Sequence, residues 1–301
     1  MAGLLAAQGA HVVLTAPDEA AVAHAVQEVK CAAPAGTGGA VSGLVLDQAT
    51  KAGVTAFCDR LQAGIAAHGW RIRGVICNAA TLAASKEPSW ALHPCLAVNH
   101  LGTWRLLTQL HVRGFLGSSS RCHIVVVSSF THRCERARDL LAWLSDCVAD
   151  AGSGRRRHPA SAHAYALSKA GVSCVAAAFA ETNCHFKGSS AHAGQHLTLA
   201  LADPGLVDTQ LTRQWPPVLR AVMRSLGIAL RLMRPPQQGA LAVMAALADD
   251  EVCDSRLRGT HALYVFGAHG VELRPGAAGG GDAQVSRTVD ALTRKLDAVY
   301  A

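Results

Sequence analysis

Short apolar runs alternate along this chain with longer stretches that have helical periodicity. The runs Val12-Val13-Leu14 and Ile124-Val125-Val126-Val127 contain no polar residue, which is typical of strands covered on both faces of a sheet. Between such runs, as in 51–68, apolar residues recur every three or four positions. Strands that alternate with helices require a parallel sheet with right-handed crossovers. We therefore predict an α/β fold, a doubly wound parallel sheet with helices on both faces.

The same pattern places the elements along the chain. Strands are predicted at 10–15, 41–46, 72–77, 122–128, 197–202 and 262–266. Helices are predicted at 1–9, 18–30, 51–68, 92–112, from 165 onward and at 237–247. Residues 132–159 form a polar, arginine-rich segment to which we assign neither. The domain is predicted to span 1–275, with a helical lid at about 210–236, and 276–301 to be a loose C-terminal extension ending in a polar helix.

Composition narrows the classes of function. With 301 residues, 50% of them hydrophobic, the chain is long enough for one large buried core. The net charge of +7 is modest and the basic residues are not interleaved with aromatic ones, so no nucleic-acid partner is predicted. The 10 cysteines form no Cys-x-x-Cys pair and the 15 histidines no metal-binding spacing, which predicts neither a disulfide framework nor a metal site. With no signal peptide and no apolar run of about 18 residues, we expect a location on the cytoplasmic side.

Polar residues follow the predicted strands with unusual regularity. Asp47, Asn78, Ser129 and Asp203 each stand where a strand ends. In parallel sheets of this kind, ligands bind outside the carboxyl ends of the strands. These side chains therefore mark the predicted ligand-binding edge.

A tyrosine and a lysine stand four residues apart in Tyr165-Ala166-Leu167-Ser168-Lys169. Residues at this spacing share one helix face, so the two side chains can meet over one small cavity. An ammonium group stabilises a phenolate, and we expect the pKa of Tyr165 to fall from about 10 toward neutrality, where it can act as an acid or base. The spacing alone arises by chance in many helices, so its meaning depends on the motifs around it.

Those motifs, taken in order, resemble the short-chain dehydrogenase/reductase family over nearly all of 1–270. The motifs are the turn Cys77-Asn78-Ala79-Ala80, the helix segment Val98-Asn99-His100-Leu101-Gly102, the strand end Val126-Val127-Ser128-Ser129, the pair Tyr165 and Lys169, and the loop Pro204-Gly205-Leu206-Val207-Asp208-Thr209. Cys77 and Ala80 depart from the family's Asn-Asn-Ala-Gly turn. The resemblance implies a Rossmann-like sheet.

Within the family the chain is most similar to the retinol dehydrogenase-like branch, especially the dehydrogenase/reductase X-linked subgroup. The long interval between Ser129 and Tyr165 and the run Pro235-Pro236-Gln237-Gln238-Gly239-Ala240 carry this similarity. It implies a small lipophilic substrate, an alcohol or aldehyde such as a retinoid or polyprenoid. It also implies a homodimer, since helices flanking Asn99 and Tyr165 commonly pair subunits in this family.

The resemblance assigns catalytic roles residue by residue. Tyr165 would exchange a proton with the reacting oxygen, and Lys169 would lower the pKa of Tyr165 and bind the nicotinamide ribose. Ser129, rather than Ser128, would hydrogen-bond the reacting oxygen, and Asn99 would hold a water in a proton relay. Taken alone, Ser129 would sooner be interpreted as a strand-end turn residue, and Asn99 is equally well a helix residue bonded to local backbone.

A nicotinamide dinucleotide is the implied cofactor. Its expected contacts are Asp47, Asn78, Ala79, Ala80, Tyr165, Lys169, Pro204, Gly205, Val207 and Thr209. Asp47 would accept a hydrogen bond from the adenine amino group, although it could instead cap the following helix. Ala16 and Pro17 follow the second strand of the family, where an acid favours NAD and an arginine NADP. Because neither is present, both cofactors stay open, with the absence of an acid favouring NADP.

One family feature is missing from this sequence. The first strand and the glycine-rich loop after it, Thr-Gly-x-x-x-Gly-x-Gly, do not occur, and that loop normally lets backbone N–H groups approach the cofactor's phosphates. We expect weak cofactor binding and precarious folding for the chain as written, or a longer protein that begins upstream. The alternative function is a catalytically inactive relative that acts as a scaffold or regulator.

The lid has a composition suited to an interface. On a helix over 218–234, Arg220, Arg224, Arg231 and Arg234 would fall within roughly 80° of one another, with apolar residues over much of the rest. A basic stripe on an apolar helix is typical of segments that lie on anionic membranes. We therefore predict peripheral membrane contact through 218–234, the alternative being that these arginines simply face water.

Overall fold

The computed structural model describes residues 1–32, 39–82, 92–116, 121–151, 159–183, 196–212, 215–230, 232–248, 263–266 and 283–300. The strands are β1 (His11–Ala16), β2 (Ala40–Val45), β3 (Gly74–Cys77), β4 (Arg121–Val127), β5 (His196–Asp203), β6 (Leu206–Val207), β7 (Met233–Arg234) and β8 (Leu263–Phe266). The helices are α1 (Ala2–Ala7), α2 (Glu19–Ala32), α3 (Lys51–His68), α4 (Thr103–Val112), α5 (Ala137–Ala149), α6 (Ser161–Asn183), α7 (Pro217–Ala229), α8 (Pro236–Ala248) and α9 (Ala283–Val299).

A four-stranded parallel sheet, in the order β3-β4-β5-β8, forms the centre of the molecule. Successive side chains of β4 point to opposite faces. Ile124 and Val126 join the larger apolar core that α4 and α6 help to form, while Val125 and Val127 pack in a second cluster with Val243 of α8. Helices therefore cover both faces, and the predicted doubly wound α/β fold is confirmed.

The strands β1 and β2 form a separate two-stranded parallel sheet. Within the described residues, β1 pairs only with β2 and β3 pairs only with β4, so each has one edge without a strand partner. The break falls where the resemblance places the missing first strand. Met1, just ahead of α1, packs against the apolar cluster of Val125 and Val127. The apolar residues of β1 are consequently only half-buried.

Helix α3 shows how the sequence sets the position of Asp47. Thr50 caps the helix, because its hydroxyl accepts a hydrogen bond from the Gly53 N–H at 3.0 Å. Asp47 in turn accepts from the Thr50 hydroxyl at 2.9 Å and from the Ala49 N–H at 3.0 Å. The helix ends at Gly69, which has a φ of +65°. The predicted helix at 51–68 is confirmed, and Asp47 supports its cap.

Two helical predictions need correction. The helix predicted at 92–112 is not one α-helix: Cys95–Gly102 is π-helical and leads directly into α4. The segment 132–159 contains α5, whose residues Leu140, Trp143, Leu144 and Cys147 are buried at helical spacing. The arginines that precede and follow these residues dominate the composition of 132–159, and for that reason the helical spacing was not recognised.

The lid also differs from its prediction. The helix ends at Ala229, so it carries only Arg220 and Arg224, whereas Arg234 lies in β7 opposite Val207. Residue 231 lies outside the described residues. The predicted stripe of four arginines on one helix is therefore wrong. Of the residues of α7, only Gly227 is buried, in contact with Met233.

The C-terminal helix exists as predicted, but it is not loose. Val289, Thr293 and Leu296 of α9 have no exposed surface, and the helix packs against α5 and α6. Polar residues on its outer face dominate its composition, which explains the wrong expectation. Across the part of the chain that the structure describes, no helix is both long and apolar enough to cross a bilayer.

Candidate active site

Asn99 joins three segments at the carboxyl edge of the sheet. It is 1% exposed and lies in the π-helical segment. Its side-chain amide donates to the Ser168 hydroxyl and to the Thr81 carbonyl, both at 3.0 Å, and its side-chain oxygen accepts from the Thr81 N–H at 2.8 Å. It thus ties the loop after β3 to α6, one residue before Lys169. This goes beyond the bonding to local backbone that any helix asparagine could make.

Lys169 places a charge inside the core beneath β4. It is 3% exposed, and its Nζ donates a hydrogen bond to the Val127 carbonyl at 2.7 Å. Burial lowers the pKa of Lys169 to about 8, while nearby Cys77, Cys95 and Asp203 oppose that shift. The residue is therefore mainly protonated at neutral pH, but close to its titration range.

Tyr165 lies beside Lys169 and forms a hydrogen bond with the Ser129 side chain. Burial raises the pKa of Tyr165 to about 12, and the bond to Ser129 opposes that rise. The expected fall toward neutrality is therefore wrong for this arrangement. The reason is geometric: the Lys169 ammonium is directed to the Val127 carbonyl and lies 5.9 Å from the centre of the tyrosine ring. Tyr165 is consequently a protonated phenol at neutral pH.

The adjacent serines have different surroundings. The Ser128 hydroxyl is buried and lies 2.8 Å from the Ser173 hydroxyl and 3.3 Å from His132 Nδ1. Ser129 is half-buried and caps the short turn Phe130–Cys134, accepting from the Thr131 N–H at 3.4 Å. Ser129 therefore contacts Tyr165 and also serves the local turn, so the two interpretations of this residue are compatible.

The residues expected around the cofactor are spread along the same edge. Asn78 and Ala79 are exposed and Ala80 is half-buried in the loop after β3, while Thr209 is exposed beyond β6. Tyr165, Lys169, Ser129 and Asn99 are brought together; no hydrogen bond within the described residues joins Asp47 or Thr209 to them.

The Pro204-Gly205 loop is tied to the strand end beside it. Gly205 has a φ of +73°, which favours glycine, and its N–H donates to the Asp203 carboxylate at 3.0 Å. Asp203 is 2% exposed and acts electrostatically on both Tyr165 and Lys169. The loop after β5 therefore starts at the buried group of catalytic candidates.

Arg234 is a candidate that sequence reasoning did not single out. Its Nε lies 4.0 Å from the position that a Cβ would take at Gly205, and its buried Nη1 has no hydrogen-bond partner among the described residues. The nearest acid in the loop, Asp208, is already paired with Arg224 at 2.9 Å. A buried guanidinium nitrogen without an acceptor calls for a ligand or a water. In the sequence, Arg234 attracted notice only as one of the four arginines of the helix predicted over 218–234.

Comparisons with known proteins agree with this geometry at the level of fold. No protein-family model matches the chain, and no curated protein does. Among solved structures, an uncharacterized protein from Mycobacterium Paratuberculosis is 20% identical, with 99% of this chain and 87% of that chain covered and a TM-score of 0.56. A short-chain dehydrogenase/reductase from Burkholderia phymatum in complex with NAD is 21% identical, covering 85% and 79%, with a TM-score of 0.53.

A third solved structure is a metagenomic short-chain oxidoreductase in complex with NADP. It is 19% identical, with 88% of this chain and 89% of that chain covered and a TM-score of 0.50. At these identities the comparisons establish only the fold, which is Rossmann-like, for this chain.

Replacing Lys169 by methionine tests the buried charge. The pKa of Lys169 is lowered from 10.5 to about 8, which corresponds to about 3 kcal/mol of destabilisation while the lysine is charged. Below pH 8 we expect Lys169→Met to be the more stable protein by that order. Between pH 8 and 10.5 the unfolded chain binds more protons than the folded one, so wild-type stability rises and the difference shrinks.

Urea unfolding of both proteins from pH 7 to pH 10 measures this difference. Lys295→Met, at an exposed position of α9, is the control for losing one lysine. A difference between wild type and Lys169→Met that stays constant over this range would contradict the burial of a charged Lys169.

Proposed function

We propose that the protein is an NAD(P)-dependent oxidoreductase that interconverts a lipophilic alcohol and its aldehyde or ketone by hydride transfer. The observation that carries this proposal is the buried group of Tyr165, Ser129, Lys169 and Asn99 at the carboxyl edge of a parallel sheet. Two proteins of the same fold, in complex with NADP and with NAD, support the choice of cofactor class.

The described residues offer more candidate contacts to the nicotinamide end of a dinucleotide than to its phosphates. Around the nicotinamide end, Lys169 offers an ammonium group, and the Gly205 loop offers close approach without a side chain. For a phosphate oxygen, Arg234 offers a buried donor that lacks an acceptor. Among the described residues, Arg234 is therefore our candidate for a phosphate contact. The residues Ala16 and Pro17 favour NADP over NAD only by lacking an acid.

The proton chemistry follows from the state of Tyr165. When bound, the cofactor would supply or accept the hydride. Because its pKa is about 12, Tyr165 is protonated at neutral pH and suited to donate a proton to a carbonyl oxygen during reduction. Ser129, already bonded to the phenol, would donate to the same oxygen and stabilise its developing charge. Lys169, with a pKa of about 8, would return a proton to Tyr165 from within the same buried group.

Asn99 has a positioning role in this scheme. Its bonds to Thr81 and Ser168 hold the loop after β3 against the helix turn that carries Lys169. Loss of this amide would leave buried donors and acceptors unpaired and displace both segments. The proposal of a water held in a proton relay by Asn99 is compatible with this placement.

One resemblance and one observation support a lipophilic substrate. The sequence motifs resemble those of the retinol dehydrogenase-like branch, and that resemblance implies such a molecule. In addition, α7 exposes large apolar side chains and is attached to the Pro204–Thr209 loop through the ion pair of Arg224 and Asp208. An apolar surface beside that loop suits a substrate that partitions poorly into water.

Tyr165→Phe tests the proposed acid. We expect turnover of long-chain aldehydes with NADPH to fall by roughly 10²- to 10⁴-fold, because the proton donor is lost. The affinity for NADPH, measured by nucleotide fluorescence, should change little. Loss of NADPH absorbance reports turnover.

Tyr300→Phe is the matched control, since it removes a phenol hydroxyl that bonds to the Cys147 carbonyl away from Tyr165. Equal turnover by Tyr165→Phe and wild type would refute the role of Tyr165. A wild-type chain that has no turnover with any aldehyde or alcohol would favour the alternative, a catalytically inactive scaffold or regulator.

Arg234→Gln tests the phosphate contact. We expect the dissociation constant for NADPH to rise about tenfold, equivalent to about 1.4 kcal/mol, because a charge-assisted hydrogen bond is lost. The rise should diminish at high salt. Arg220→Gln removes the same charge from an exposed site on α7 and should leave affinity unchanged. If both variants bind NADPH as tightly as wild type does, Arg234 does not contact the cofactor.

We also propose that α7 contacts a membrane surface. At about 100° per residue, Val218, Val222 and Leu226 fall on one side of the helix, and all three are exposed. Arg220 is exposed but lies about 120° or more around the helix from each of these three residues, so the proposed contact is mainly apolar. Arg224 is engaged with Asp208, so the electrostatic contribution is smaller than a four-arginine stripe would give.

Leu226→Asp tests this contact through flotation on vesicles containing anionic lipid. We expect the variant to float several-fold less than wild type, because a carboxylate would enter the apolar interface. Ala221→Asp adds the same charge outside the apolar face and should retain more binding. Equal flotation of wild type and Leu226→Asp would show that α7 simply faces water.

A further inference from the structure

The buried face of α9 follows a strict helical stripe. The buried or half-buried positions of α9, and of Tyr300 just after it, are 285, 286, 289, 290, 292, 293, 296, 297 and 300, and all of them fall on one side of the helix. Positions 287, 288, 291, 294, 295 and 298 are exposed. The helix thus has one side built for close packing and one side for water.

On the α4 side, α9 makes a set of specific polar contacts. The Thr293 hydroxyl lies 2.8 Å from His100 Nε2, and the Trp104 indole donates to Asp290 at 2.9 Å. Arg105, only 4% exposed, donates to the Asp297 carboxylate and to the Tyr300 carbonyl. These contacts fix α9 along its length on the segment that begins at the π-helical turn.

On its other side α9 contacts α5 and α6. The Tyr300 hydroxyl donates to the Cys147 carbonyl at 3.3 Å, and Ser286 forms a hydrogen bond with Cys174. At the rim, Arg287 pairs with Glu181 at 3.0 Å. Val289 and Leu296 belong to the same apolar core as the residues of α4, α5 and α6. The helix α9 is therefore part of the main hydrophobic core.

The π-helical segment, which carries His100, approaches α6 closely at Gly171. A Cβ there would lie 2.5 Å from His100 Nδ1, so only glycine lets the imidazole sit against α6. Burial lowers the pKa of His100 to about 4, which keeps the ring neutral at neutral pH, although Gly171 and Asp290 oppose that shift. A neutral ring can be buried against Thr293 without a counter-ion.

We infer that α9 is the partner, supplied by the same chain, of the face formed by α4, α5 and α6, and that it prevents this face from pairing two copies. The resemblance implied a homodimer through the helices that flank Asn99 and Tyr165. In this chain those helices are already covered. The inference depends on packing and is independent of the proposed activity.

A second copy could use this face only by displacing α9. Displacement would take Asp297 from the buried Arg105 and Thr293 from the buried His100. Removing one partner of a buried ion pair is strongly destabilising, because the remaining charge has no compensation. Exchange of α9 for a second copy is therefore opposed by polar as well as apolar contacts.

Light scattering coupled to size exclusion tests the inference on the full chain. We expect one mass, 31.3 kDa, at all concentrations. Leu296→Asp places a carboxylate in the fully buried stripe and should unseat α9. The exposed face of α4, α5 and α6 should then produce self-association that increases with concentration, together with rapid proteolytic release of α9.

Ala291→Asp introduces the same charge on the exposed side of α9 and should remain a monomer. Hydrogen exchange of the wild-type chain supplies a readout that needs no variant: protection in α4 and α6 should be independent of protein concentration. A wild-type dimer whose α4 and α6 amides gain protection with concentration would overturn the inference. So would a folded Leu296→Asp chain that releases α9 and stays a monomer.

Discussion

The buried charge of Lys169, next to the end of β4, constrains how the surrounding elements can pack. An ammonium group removed from water needs an acceptor, and the Val127 carbonyl at the end of β4 provides it. That position requires α6 to lie close against the sheet, which places Tyr165 next to Ser129. Asn99 then donates a hydrogen bond to the Ser168 hydroxyl, one residue before Lys169. The burial of the Lys169 ammonium thus helps to position Tyr165, Ser129 and Asn99.

Much of the sheet was predictable because its strands are marked by composition alone. Val125 and Val127 could be assigned to a strand buried on both faces without knowing which helix covers either face. The residues Asn78, Ser129 and Asp203 could be assigned to one edge because parallel strands all point the same way. Such inferences use only local pattern and strand direction, both of which a single sequence contains.

What could not be predicted depended on contacts between distant residues. Leu140 and Leu144 of α5 lie in a segment rich in arginine, and only their packing distinguishes a helix from a loop. The polar surface of α9 concealed the stripe of Val289 and Leu296, whose burial is defined by α4 and α6. The pKa of Tyr165 depends on where the Lys169 ammonium points, and spacing in sequence cannot give that direction. The sequence also could not show that the buried Nη1 of Arg234 has no hydrogen-bond acceptor among the described residues.

The interruption of the sheet between β1 and β3 has a consequence for cooperativity. Within the described residues β1 pairs only with β2, and the apolar strand residues of the unit formed by β1, α2 and β2 are mainly half-buried. Regions with fewer buried contacts open at a lower free energy than the core, as separate foldons. Asp47, at the end of this unit, would then belong to a subregion that fluctuates independently of Tyr165 and Lys169. A ligand spanning both would act as the link that makes two cooperative units behave as one.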